Sequence, residues 1–124
     1  MLSSFGEELG LARELALKVA GAFGGGMARM GETCGAVTGA LMVIGLKYGM
    51  TQAKDGAARD RTYKLAQEFM TRFKTHHNSM VCRELLGYDL SSLEGRKAAH
   101  EKGLFTTLCP QFVRDAVEIV EQLL

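Results

Sequence analysis

Three cysteines, Cys34, Cys82 and Cys109, are the residues of this sequence with the widest chemical repertoire. Cys34 stands where a glycine-rich stretch meets an apolar segment. A helix starting there, capped by Thr33 or Glu32, would set its sulfur beside unpaired backbone N–H groups and the positive end of the helix dipole. Cys109 precedes Pro110, the only proline, and proline favours the first helical position, so Cys109 reads as the N-cap of a last helix. Cys82 falls in a short helical stretch with His76, His77 and Arg83 close in sequence, cations that would favour a thiolate. These settings predict that at least one thiol titrates below the free value of about 8.5 and reacts early.

Two other kinds of chemistry fit the same residues. Thiolates of Cys34, Cys82 and Cys109, joined by His76, His77 or His100, would be soft ligands for zinc, copper(I) or an iron–sulfur cluster, although the usual short ligand spacing, such as a CxxC pair, is missing. Free cysteines are also commonly plain core residues, which would leave a helical binding or oligomerising module with inert thiols. For His76-His77 as an acid–base pair, no motif signals a serine or acidic partner. Met27, Met30, Met42, Met50, Met70 and Met80 read first as core filling.

The elements that must position these side chains are helical. From Glu7 to Phe23 the residues Leu9, Leu11, Leu15, Ala16, Val19, Ala20 and Phe23 recur at helical steps, with Gly10 a point where the helix could divide. Gly24-Gly25-Gly26 ends it in a tight loop that tolerates positive φ. Thr33 to Tyr48 is apolar nearly all round and punctuated by Gly35, Ala36, Gly39, Ala40 and Gly45, which marks a buried central helix open to close approach by a neighbour. Asp55 to His76 is a long charged helix with Ala58, Tyr63, Leu65, Ala66, Phe69, Met70 and Phe73 facing inward. A short helix over Met80–Leu86 follows, with Gly87 as C-cap. Asp89 or Ser91 caps a polar helix that Gly103 ends, and a last helix runs from Pro110 to Leu124. No segment alternates with period two. The expectation is an all-α domain spanning residues 1–124, a bundle of five or six helices around a Gly/Ala-rich centre.

Composition narrows the function. At 47% hydrophobic and 23% charged, the chain is far from disordered composition. With 15 basic and 14 acidic residues interspersed, it has no basic stripe for a nucleic-acid backbone. The apolar run before Lys47 is shorter than the ~20 residues a bilayer crossing needs, so no membrane partner is expected. Residues 1–20 show no secretory pattern, which points to the cytoplasm, where thiols stay reduced.

The run Phe23-Gly24-Gly25-Gly26-Met27, then Gly31-Glu32-Thr33-Cys34-Gly35-Ala36-Val37-Thr38-Gly39-Ala40-Leu41-Met42, then Cys82 ahead of Leu85-Leu86-Gly87, and finally Cys109-Pro110, resembles the redox-active proteins named for their C_GCAxxG_C_C cysteine pattern. The resemblance spans nearly the whole chain. It implies a small helical protein with a thiol-redox role, carried by Cys34, Cys82 and Cys109 and supported by Gly35 and Gly39. The family pattern has one more cysteine upstream of the first helix, and the chain's opening, Met1-Leu2-Ser3-Ser4-Phe5, lacks it. The expectation is that an upstream cysteine-bearing segment is missing or that thiol is absent. A thiol-redox or electron-transfer accessory role follows, with a redox partner protein, a homodimer allowed, and Cys34 with Cys109 as first choice of pair because both are expected at helix starts. No resident cofactor is required by this reading; zinc or an iron–sulfur cluster belongs to the metal alternative.

Overall fold

A computed structural model describes all residues, 1–124, and is helical without a β-sheet. Eight segments follow one another: α1 (Leu2–Phe5), α2 (Arg13–Val19), α3 (Gly35–Tyr48), α4 (Gly56–His77), α5 (Cys82–Leu86), α6 (Leu93–Glu101), α7 (Leu104–Thr107) and α8 (Cys109–Leu123). The count exceeds the expected five or six because short pieces, α1 and α7, stand apart from their longer neighbours. No helix is long and apolar enough to cross a membrane.

Local chemistry sets most boundaries. Asp55 caps α4 by accepting from the Ala58 N–H at 3.0 Å, and Asn78 closes it in the left-handed region at φ 67°. Gly87 at φ 73° ends α5, as expected, and Gly103 at φ 69° follows the last turn of α6. The cap of α6 is Ser92, whose hydroxyl accepts from the Gly95 N–H at 2.9 Å. Asp89 and Ser91, the expected caps, are used one step earlier: the Asp89 carboxylate accepts from both the N–H and the hydroxyl of Ser91 and shapes the approaching turn.

Helix α3 lies against α1, α4 and α8, and α4 lies against α8. Its Val37, Ala40, Val43 and Ile44 are wholly buried together with Phe69 and Phe73 of α4 and Ala116 and Val120 of α8. Each large side chain so buried contributes about 1.5–3 kcal/mol relative to exposure. Gly39 is where α3 must lack a side chain, because a Cβ there would stand 2.8 Å from the Met1 Cβ. Gly45 has open space beside it and is not needed for close approach.

Several inward assignments are overturned. The single helix expected over Glu7–Phe23 is broken, with Gly10 at φ 89°, and α2 buries only Ala16 while Leu15 and Val19 are more than half exposed. Tyr63 of α4 points outward, and Met27, Met30 and Met50 are exposed rather than filling the core. Periodicity identifies an apolar stripe, but a stripe is buried only where another element arrives to cover it.

Candidate functional site: a cluster of three free thiols

Two short segments distant in sequence are zipped together at the centre of the site. The Cys34 N–H donates to the Met80 carbonyl at 2.8 Å, the Cys82 N–H donates to the Glu32 carbonyl at 2.6 Å, and Thr33 and Val81 form an isolated antiparallel bridge between them. Side chains alternate across such a pair, so Cys34 and Cys82 emerge on the same side, opposite to Thr33 and Val81. They are diagonal neighbours, whose Cα atoms in such a ladder lie roughly 7–8 Å apart. Ser79 holds the second segment in place: its hydroxyl accepts from the Val81 N–H at 3.0 Å and donates to the Glu84 carboxylate.

The glycine-rich loop wraps against this pair in an uncommon conformation. Gly25, Gly26, Met27, Ala28 and Arg29 are consecutive and all have positive φ, between 51° and 67°. For the three residues that carry a Cβ, this costs roughly 1–2 kcal/mol each. Wide-ring hydrogen bonds hold the turn, from the Ala28 N–H to the Ala22 carbonyl at 2.8 Å and from the Glu32 N–H to the Gly26 carbonyl at 2.8 Å. The sequence indicates a loop here through its three glycines; nothing in Met27, Ala28 or Arg29 signals that the left-handed turn continues through them.

The cysteines occupy three different helix beginnings. Cys34 is itself the N-cap of α3, in place of Thr33 or Glu32. Cys82 is the first residue of α5 and is buried. Cys109 is the first residue of α8 rather than its cap; Leu108 precedes it in a right-handed helical conformation that carries on from α7. All three thiols are free.

Burial is the largest influence on their acidity. Desolvation pushes the Cys34 thiol up from the ordinary range; the N–H groups of Ala36 and Val37 oppose this with the smaller effect. Cys82 is pushed up to about 11, first by burial and then by negative charge on Cys34 and Cys109. Cys109 is raised by burial and by charge on Cys34. The expectation of a lowered thiol pKa is therefore overturned. The cations that were to support Cys82 are engaged elsewhere: Arg83 donates to the Glu32 carboxylate at 3.3 Å, and the two histidines turn toward α8. Charge on Cys34 bears on Cys82 and Cys109, and charge on Cys109 bears on Cys82, so the thiols, remote in sequence, lie within electrostatic reach.

His76 and His77 have an acidic partner that sequence proximity did not reveal. The His77 Nε2 lies 2.9 Å and the His76 Nε2 3.7 Å from Asp115 Oδ2, on α8. The His77 ring packs between Phe73 and Phe112, with centroids 4.7 and 5.0 Å away. His76, His77 and Asp115 form a group whose ligand-type atoms lie within 4.8 Å of one another, and no cysteine belongs to it. His100 lies apart from them, lining a cleft beside α6. Of the two motif glycines, Gly39 serves the approach of α1, and Gly35 faces the Phe23 carbonyl at an ordinary contact distance.

Compared with known families, residues 1–123 match the family described as "Putative redox-active protein (C_GCAxxG_C_C)". No curated protein and no solved structure matches the chain.

Proposed function

The chain belongs to the C_GCAxxG_C_C family, and from that premise we propose that it is a thiol–disulfide exchange protein working on a redox partner protein. The observation that carries this reading is the pairing that sets the free thiols of Cys34 and Cys82 on one side of two zipped segments, with Cys109 near enough for charge on Cys34 to raise it.

Cys34 is the attacking group in this proposal, because it alone among the three has backbone N–H groups that favour its thiolate. It gives up its proton and attacks one sulfur of a partner's disulfide; that S–S bond breaks, and the partner's other sulfur leaves as a thiolate that takes up a proton. Cys82 or Cys109 then loses a proton and attacks the Cys34 sulfur, which releases the partner's second thiol. The partner's disulfide ends as two thiols, and the protein's two thiols end as one disulfide. A pair of diagonal neighbours is slightly beyond the usual Cα separation of 4.4–6.8 Å, so a Cys34–Cys82 bridge would draw the two segments together.

Oxidation with a glutathione disulfide buffer, followed by mass mapping of the bridged peptides, tests this. The expected result is one intramolecular disulfide that includes Cys34, reversed by reductant. Absence of any bridge at every buffer ratio, with the fold intact, overturns the proposal. A stoichiometric soft metal ion released on thiol modification would assign the cluster to metal binding instead.

A further inference from the structure

Outside the thiol cluster, the outer side of the glycine-rich loop forms one wall of a cleft of about 1010 Å³. Gly21, Gly24, Gly25, Ala28 and Arg29 line that wall. Leu90, Leu93, Arg96, Lys97 and His100, and Phe105 of α7, complete the lining. Leu93, Arg96, Lys97 and His100 fall on one face of α6, three and four residues apart. Arg29, Arg96, Lys97 and His100 thus bring four basic side chains to one concavity, with no carboxylate among its lining residues.

None of these four is in an ion pair; the protein's ion pairs engage Arg72, His76, His77 and Arg83. Arg96 also keeps its Nε buried with no hydrogen-bond partner, a state that costs about 1–3 kcal/mol unless something accepts from it. The walls are not uniformly polar: Leu93 and Phe105 are both exposed at the cleft. Its volume is at the upper end of the range for organic ligands and far larger than one inorganic ion requires.

We propose that this cleft binds a phosphorylated small molecule of nucleotide size, with its phosphates on Arg96, Lys97 and Arg29 and its ring against Phe105 and Leu93. A guanidinium donates two parallel N–H bonds to phosphate oxygens, and several cations around one concavity suit the multiple negative charge of a phosphate ester better than a singly charged anion. Gly24, with open space where a Cβ would stand, lets the anion approach backbone. The site is independent of the thiol chemistry and stands or falls apart from it.

Calorimetric titration of the whole protein with ADP and with inorganic pyrophosphate tests the proposal. ADP is expected to bind saturably, more tightly than pyrophosphate, with affinity falling as salt is raised. Arg96→Gln should weaken both by about tenfold or more, the scale of one lost charge-assisted hydrogen bond. Phe105→Ala should weaken ADP alone. Lys97→Gln, at an exposed position, provides a variant whose folding is not in question. No saturable binding of either probe, or binding unchanged in both Arg96→Gln and Lys97→Gln, overturns the site. Equal affinity for the two probes, untouched by Phe105→Ala, overturns the ring-bearing ligand.

Discussion

Gly26 stands so close to Cys82 that a Cβ on the glycine would lie 2.5 Å from the cysteine's own Cβ, and 2.8 Å from the Glu32 nitrogen. The loop backbone is therefore the lid over the buried thiol, and it can be so only without a side chain. Gly26→Ala would have to displace Cys82 or the Glu32 backbone and also hold alanine at φ 67°. The expected cost is about 1–3 kcal/mol from overpacking, with strain added, measured as a lower urea midpoint. Gly24→Ala, beside open space, should leave stability nearly unchanged.

Thiol reactivity should rise late with pH. Because burial raises all three thiols, alkylation of the native protein near pH 7 should be slower than that of a free cysteine, with Cys82 slowest. Rates measured against pH for wild type and for Cys34→Ser, Cys82→Ser and Cys109→Ser check this. A thiol that alkylates rapidly near pH 6 would contradict it.

The same shifts make stability depend on pH. Folding pushes the Cys82 thiol up from 9.0 to about 11, so the native state holds its proton through that window and the unfolded state does not. Its contribution is fully present below pH 9 and is lost progressively as pH rises toward 11. Urea unfolding at pH 7 and pH 10 should show a drop that is smaller in Cys82→Ala.

The thiol–disulfide couple, if formed as proposed, should be a reducing one. A couple becomes strongly oxidising when its thiolate is stabilised, and here the thiolates are disfavoured by burial and by one another. Equilibration with glutathione should place the potential below about −200 mV. A markedly higher value would mean that the thiolates are stabilised in a way their surroundings do not account for.

Asp115 is expected to matter to stability although it lies far along α8 from Cys109. Both it and His77 are largely buried, with His77 Nε2 2.9 Å from Asp115 Oδ2. Asp115→Asn weakens that pairing and should cost about 1–3 kcal/mol in urea unfolding. Replacing the exposed Glu118 by Gln should change stability by less than about 0.5 kcal/mol.

Much of the local architecture was legible in the sequence, because helices and their ends depend on residues within a few positions of each other. The spans of α3, α4 and α8 follow from apolar spacing, and Gly87, Asp55 and Asn78 mark ends through φ preference or a capping oxygen. The three cysteines could likewise be singled out by type. What no spacing contains is the company a side chain keeps across the fold. Whether a thiol at a helix start becomes more acidic depends on the balance between nearby N–H groups and lost water, and that balance was decided by the Gly26 loop and the pairing of Glu32–Cys34 with Met80–Cys82. The carboxylate facing His77 arrives from α8, the cover expected over Leu15 and Val19 does not arrive, and the four basic side chains of the cleft meet only when α6 packs beside a left-handed turn. Burial and charge pairing belong to the assembled set of elements, so they were settled by tertiary structure alone.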